Sequence, residues 1–389
     1  MNETAKPAPL AGLKVVELAR ILAGPWAGQT LADLGADVIK VESPEGDDTR
    51  TWGPPFVTNP DGSRDAAYFH ACNRGKRSVI ANFRTPEGQE KVRSLVADAD
   101  VLIENFKVGG LAKYGLDYTS LSAINPRLIY CSISGFGQDG PYAERPGYDY
   151  IIQGMSGFMD LTGEPDGAPQ KAGVAIADIF TGVYSVVAIQ AALIQRGVSG
   201  RGQHIDMALF DTMAGVLANQ ALNYFVGGVT PARVGNAHLN VSPYAVFPAS
   251  DGWFILAVGN DGQFQRFCAA LGLDQLASDP RFQTNEGRID NRDPLFATIR
   301  QATTRHPRDW LLATLEAATV PAGPINTVEQ AFADPQLVHR GMKLTLDRNG
   351  QSLPGLRTPI RFSDAGLTIE RAAPMLGQDD GADSRTGNR

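Results

Sequence analysis

Apolar and polar residues alternate in blocks along the first half of this chain. Leu13-Lys-Val-Val-Glu-Leu18 reads as a short strand. Gly24-Pro25 follows and opens a helix over Trp26 to Leu34, with proline in its first turn and Gly35 as its C-terminal cap. Asp37-Val-Ile-Lys-Val-Glu42 is the next strand. Strand, helix and strand within roughly thirty residues predict a right-handed βαβ unit on a parallel sheet. The alternation continues with a strand at Ser78 to Phe83, a helix at Pro86 to Ala97 and a strand at Val101 to Glu104. A helix then opens at Leu111 to Tyr114, and a strand follows at Leu128 to Ile133. Repetition of this kind predicts an α/β fold with a doubly wound parallel sheet. Ligands of such sheets lie beyond the carboxyl ends of the strands. Arg20, Ser43, Asn105, Ser134 and Asp178 all fall at those ends.

One stretch carries a candidate for chemistry. Lys171-Ala-Gly-Val-Ala-Ile-Ala-Asp178 ends an apolar run, and Ile179 to Gln195 then repeats apolar residues at helical spacing. A carboxylate at that junction either caps the new helix or points into a cleft as a nucleophile. The loop Ser43 to Asp65 is rich in proline, glycine and charge, and a loop of roughly twenty residues inside a compact domain is a functional candidate. Beyond Ser199-Gly-Arg-Gly202, a strand (Gln203 to Asp206) and a long helix (Leu209 to Asn223) follow. Gly227-Gly228, Pro231 and Gly235 then read as an interdomain linker. Two strands flanking Asp251-Gly252 predict a hairpin. Helices at Gln263 to Leu271, Arg292 to Ala302 and Pro307 to Ala318 complete a smaller α+β domain, and Pro321 to Pro324 turns the chain back. Ile360 to Phe362 is a further predicted strand. The predicted domains are residues 1–225, 226–325 with the linker, a return over 326–377, and a disordered tail from 378 to 389.

Composition narrows the class. The chain has 389 residues, 43% hydrophobic and 20% charged, with a net charge of −7. That balance argues against nucleic-acid and anionic-membrane partners. Three scattered cysteines, Cys72, Cys131 and Cys268, read as reduced thiols, and no histidine pair stands at metal spacing. The most apolar window, Val183 to Leu193, is too short to span a bilayer. The expectation is a cytoplasmic protein with no metal and no signal peptide. The turn Ala23 to Gly28 is not G-x-G-x-x-G, so a dinucleotide is not indicated.

A series of fragments stands in one order. It runs Leu22-Ala-Gly-Pro25, Gly35-Ala-Asp-Val-Ile-Lys-Val-Glu42, Asn73-Arg-Gly-Lys-Arg-Ser78, Glu104-Asn-Phe106, Ser134-Gly-Phe-Gly-Gln-Asp-Gly-Pro141, Ala177-Asp178, Gly200-Arg-Gly-Gln203 and Gly323-Pro324. In this order they resemble the class III CoA-transferase family, from near Leu10 to near Gly377. The resemblance implies a Rossmann-like large domain built from both ends of the chain, an inserted small domain, and an interlocked homodimer. It implies acyl-CoA and a small carboxylic acid as substrates, with no permanently bound cofactor. It matches Asp178 to the family's nucleophile. It places CoA contacts on Arg20, Ile21, Leu22, Ala23, Asn73, Lys76, Asn105, Phe106, Lys113, Tyr114 and Phe136. Ser43 and Ser134 stand where formyl-CoA transferase has basic residues, so phosphate contacts shift to Lys76 or Arg77. Val234-Gly-Asn-Ala-His238 replaces that enzyme's glycine-rich loop.

The racemase branch of the family uses a histidine in a Gly-His-Asp segment, and Gly147-Tyr148-Asp149 lacks it. The loop Gly46 to Val57, Asn236-Ala-His238 and Gly323-Pro-Ile-Asn326 resemble the succinyl-CoA:glutarate branch, which implies dicarboxylic substrates. A remote carboxylate calls for a cation, for which Arg20, Arg50 and Arg74 are candidates. Tyr148 and His238 complete the substrate candidates. A racemase-type enzyme and a non-catalytic CoA-ester-binding protein are the alternatives.

Overall fold

The computed structural model describes residues 6–348 and 350–381. The chain divides into two compact units. The first comprises residues 6–158, 171–225 and the described part of 335–381. Its elements begin with β1 (Lys14–Glu17), α1 (Ala23–Asp33), β2 (Asp37–Glu42), β3 (Phe56–Thr58), β4 (Arg64–Ala66), α2 (Ala67–Cys72) and β5 (Arg77–Ile80). They continue with α3 (Pro86–Val96), β6 (Val101–Glu104), α4 (Tyr118–Ile124), β7 (Ile129–Ser134), α5 (Asp149–Met155), α6 (Phe158–Leu161), α7 (Ile176–Ser199), β8 (His204–Ala208) and α8 (Leu209–Val216). Helix α6 spans the boundary of the two units.

Six strands form one sheet in the order β5-β2-β1-β6-β7-β8, and every pairing is parallel. Val15 stands opposite Val38 on one side and Val101 on the other. Neighbouring residues on β1 face opposite ways, so Val15 joins one buried cluster and Val16 another. The first cluster packs α1, α7 and α8 on the sheet through Leu31, Val186, Ile189 and Met213. The second packs α3 and α4 through Val92, Val96 and Leu121. Continuous apolar strands are what a sheet covered on both faces requires. The order reverses between β1 and β6, which opens a crevice beyond their carboxyl ends.

Several expected elements change form. The loop after Ser43 folds into a short 3-10 turn (Asp48–Thr51) and the β3–β4 hairpin. The helix predicted over Leu209 to Asn223 breaks at Ala218, whose φ of 46° is left-handed. No glycine or proline at Ala218 announces that break. The strand placed at Ile360 to Phe362 is absent, and Lys343–Arg348 pairs instead with Gln351–Leu356. Helix α7 starts at Ile176 and runs 24 residues. It is therefore longer than the Val183 to Leu193 window, and by length and composition it is apolar enough to cross a membrane. Here its buried stripe packs against α1 and the sheet. Residues 378–381, expected in a disordered tail, are held down. Asp379 exchanges backbone and side-chain hydrogen bonds with Ser78, at 2.9 and 2.8 Å, and Asp380 pairs with Lys91 at 2.6 Å. Residues 382–389 lie outside the described residues.

The second unit comprises residues 159–170 and 226–334. Two boundaries differ from the sequence reading: residues 159–170 join this unit, and the return falls at Pro335 rather than at 326. An Arg233 guanidinium bound to Asp160 at 3.0 Å ties the early piece in. An antiparallel sheet of three strands runs Ala322–Pro324, Trp253–Ala257, Tyr244–Pro248. One of its faces packs on helices through Phe247, Phe254, Phe264, Phe267, Phe296 and Leu311. The segment Pro321 to Pro324 therefore supplies an edge strand as well as the expected turn.

Candidate active site

A cleft of about 270 Å³ lies beyond the carboxyl ends of β1, β6 and β7. Of the residues expected at the site, Arg20, Ile21, Leu22, Ala23, Asn105, Phe106, Tyr148 and Asp178 line it. The topology explains the convergence. Arg20 to Ala23 follow β1, and Asn105 and Phe106 follow β6, on the two sides of the switch point. The Asn105 amide locks them together: its Oδ1 accepts the Arg20 N–H at 2.9 Å and its Nδ2 donates to the Arg20 carbonyl at 2.7 Å.

Asp178 stands in the first turn of α7. It does not cap the helix. The Asp149 carboxylate does so from a neighbouring element, accepting the N–H of Ala177 at 2.8 Å and of Asp178 at 3.4 Å through one oxygen. Its other oxygen accepts from Gln153 Nε2 at 2.7 Å. A helix N-terminus left without a local cap is thus satisfied by a tertiary one. Asp149 reaches it because the loop before α5 crosses the end of β7 almost without clearance. A Cβ on Gly135 would lie 2.5 Å from Gly147 Cα, and one on Gly147 would lie 2.3 Å from Gly135 Cα. Only glycine fits at either crossing point.

Asp178 itself is half-buried, and its carboxylate has no hydrogen bond and no cation among the described residues. Burial, reinforced by the Asp149 charge, pushes its pKa up to about 7. The Tyr68 hydroxyl is pushed up to about 12, by burial and then by the charge of Asp178. Tyr68 also meets Trp52 edge to face at 5.3 Å. An unpaired carboxylate poised between its ionised and neutral forms is suited to nucleophilic attack on an acyl carbon.

The other expected residues fall elsewhere. Lys76 is fully buried and spends its ammonium on Glu17 at 2.8 Å, the Pro25 carbonyl at 2.8 Å and Asn73 Oδ1 at 2.8 Å. Neither Lys76 nor Asn73 faces the cleft, so neither meets a phosphate there. Arg77 is likewise taken by Asp37. Arg50 is buried between Glu42 and Asp65, at 2.7 and 2.8 Å, above the Phe69 ring. Arg74 is buried against Asp33. These two arginines are interior ion pairs and are not available to a substrate. Asp33 lies 41 residues before Arg74, whereas Glu42 and Asp65 lie 8 and 15 residues from Arg50 across a loop whose folding the spacing does not reveal. Phe136 packs edge to face on Tyr142 and Phe210. Lys113 is exposed over the Tyr114 ring at 4.9 Å, outside the cleft lining. His238 belongs to the second unit, where its Nδ1 accepts the Asn240 N–H at 3.0 Å and its ring meets Tyr244.

Three residues of the site were not expected. Lys107 and Arg145 line the cleft and are exposed, and with Arg20 they supply its cations. Lys107 directly follows the Glu104-Asn-Phe106 fragment, and that adjacency was the available signal. Asp149 as a cap carries no local signal, because its partner lies 28 residues on.

Residues 10–380 match the model of CoA-transferase family III. A succinate–glutarate CoA-transferase of Agrobacterium fabrum is 60% identical over 95% of this chain and 93% of its own length. The human succinyl-CoA:glutarate CoA-transferase is 39% identical, covering 95% of this chain and 84% of its own. A crystal structure of a CAIB/BAIF family protein from Brucella suis superposes with a TM-score of 0.87 at 66% identity. That match covers 96% of this chain and 98% of the other.

Proposed function

The chain belongs to CoA-transferase family III, and from that membership we propose that it moves CoA from succinyl-CoA to a dicarboxylic acid such as glutarate, with Asp178 as the nucleophile. The relatives' substrates, and the exposed Lys107 and Arg145 on the cleft wall beside Arg20, support the dicarboxylate assignment. The observation that carries the proposal is the half-buried Asp178 carboxylate, with no cation or donor of its own in a cleft at the switch point.

One Asp178 oxygen attacks the thioester carbonyl carbon, the C–S bond breaks, and CoA leaves as thiolate with a mixed anhydride formed. The thiolate attacks the aspartyl carbonyl, releases the donor acid as carboxylate and leaves an aspartyl-CoA thioester. The acceptor carboxylate then attacks that thioester, forms a second anhydride and frees the thiolate again. The thiolate attacks the acceptor's acyl carbon and returns Asp178 as carboxylate. Asp149 holds the N-terminus of α7, and so the nucleophile, in place. Arg20, Lys107 and Arg145 face the anionic groups of donor and acceptor. Tyr148, 61% exposed on the same wall, closes over the acyl group.

The proposal extends to a cytoplasmic homodimer. An apolar stripe on α7 supports association: Phe180, Val183, Tyr184, Val187, Ile194 and Val198 are all exposed on one long helix. The test of substrate class is a matrix of donors (succinyl-CoA, acetyl-CoA, oxalyl-CoA) against acceptors (glutarate, oxalate, carnitine). Succinyl-CoA with glutarate is expected to give the highest kcat/KM. Preference for a monocarboxylate acceptor would remove the dicarboxylate assignment.

A further inference from the structure

Ile21 is a branched residue with φ at 71°, a left-handed backbone strongly disfavoured for such a side chain. It stands between Arg20 and Leu22 on the cleft wall. Its N–H points at the Asp47 carboxylate, 3.3 Å from each oxygen, and its carbonyl accepts from the Cys72 thiol at 3.5 Å. Asp47 is 1% exposed and lies outside the cleft lining. It also accepts the Thr49 N–H at 3.0 Å and the Thr49 hydroxyl at 2.8 Å, and it pairs with Lys40 at 2.8 Å. Lys40, fully buried, is fixed in turn by Glu17 at 3.1 Å and by the Ala19 carbonyl at 2.9 Å. A line of buried charges therefore ends on one backbone N–H at the cleft. The peptide that would swing if Ile21 relaxed carries the Arg20 carbonyl, the group that Asn105 grips.

We propose that Asp47, backed by Lys40, is a positioning residue for acyl-CoA binding: it holds Ile21 in the left-handed conformation and so sets Arg20, Leu22 and Asn105 at the wall that receives the CoA thioester. This rests on the reading of the cleft as the CoA site. Strain at a binding loop persists only where surrounding contacts over-determine it, and here Asp47 holds the Ile21 N–H, Cys72 its carbonyl and Asn105 the neighbouring Arg20. A loop released from them would spend most of its time in a conformation that does not bind, and apparent affinity would fall by the competent fraction.

The test uses the full chain with succinyl-CoA and glutarate. Asp47→Asn keeps the size and one acceptor oxygen but removes the charge facing Lys40. It is expected to raise KM for succinyl-CoA about tenfold, with kcat within about twofold of wild type. Adding Ile21→Gly to Asp47→Asn is expected to bring KM for succinyl-CoA back to within about threefold of Ile21→Gly alone, since glycine adopts positive φ freely. A role confined to fold stability would give no such rescue. If Asp47→Asn does not fold, Ile21→Gly and Ile21→Ala are compared in the otherwise intact chain. Both lose the same side chain, and the glycine variant is expected to keep the higher Tm and the lower KM for succinyl-CoA. An active wild type overturns this inference alone under any of three results: unchanged KM in Asp47→Asn, no rescue, or glycine and alanine variants that behave alike. A wild type that neither binds CoA nor exchanges it overturns the cleft assignment, and this inference with it.

Discussion

Asp178 owes its chemistry to what is missing around it. A carboxylate in water titrates near 4, whereas desolvation and the neighbouring Asp149 hold this one near 7. Burial disfavours the charged form, so ionisation in the folded chain costs stability. The folded value lies above the unfolded one. The contribution of Asp178 to stability therefore falls as pH rises from about 4 to about 7, and is constant above that. Asp178→Asn is expected to raise Tm relative to wild type at pH 8 and to leave it nearly unchanged at pH 4, as thermal denaturation at the two pH values would show. Acylation needs the ionised form, so its single-turnover rate is expected to rise with pH through about 7. Asp149→Asn keeps an oxygen for the Ala177 N–H but removes the charge that raises Asp178. The same rate profile is expected to shift toward acid, and an unmoved profile would show that the two carboxylates are uncoupled. The sequence placed Asp178 at the start of a helix and at the end of an apolar run, and both facts survive. It could not show that the cap comes from Asp149, because that bond depends on two glycines meeting at the end of β7.

Among the elements, the β-strands were legible because a sheet covered on both faces needs near-continuous apolar runs, and Val15, Val38 and Val101 advertise theirs. The charges inside those elements were not legible. Lys40 and Lys76 read as surface or ligand cations by type, yet both lie in the interior around Glu17, at 3.1 and 2.8 Å. Glu17 meets Lys40 through the pairing of β1 with β2, and Lys76 reaches it from the turn before β5, neither of which periodicity can reveal. Removing the shared anion would leave the buried Lys76 with neutral partners alone and Lys40 with Asp47 as its one carboxylate. Glu17→Gln is expected to cost about 3–5 kcal/mol in denaturant unfolding, the usual penalty for breaking a buried pair. A loss below about 1 kcal/mol would place these groups in contact with water, as for a surface pair. The break at Ala218 was equally hidden, since alanine is the residue least expected to end a helix.

At the scale of the whole molecule, the β–α alternation and the change of texture near Gly228 foretold two kinds of architecture in one chain. The membership of residues 159–170 did not follow from pattern, because contacts such as the Arg233–Asp160 ion pair join positions far apart in sequence. The exposed apolar stripe on α7 is the surface that the proposed dimer would cover. Light scattering is expected to give twice the 41.6 kDa chain mass, and Val187→Asp with Ile194→Asp to lower it toward one chain. A wild-type mass of one chain would contradict the proposed dimer. The central claim concerns covalent exchange, and mass spectrometry of the digested protein tests it most directly. After incubation with succinyl-CoA and no acceptor, the peptide carrying Asp178 is expected to be heavier by one CoA less water, or to appear as a hydroxamate after hydroxylamine. Wild type that turns over succinyl-CoA and glutarate while Asp178 stays unmodified under both treatments would contradict it.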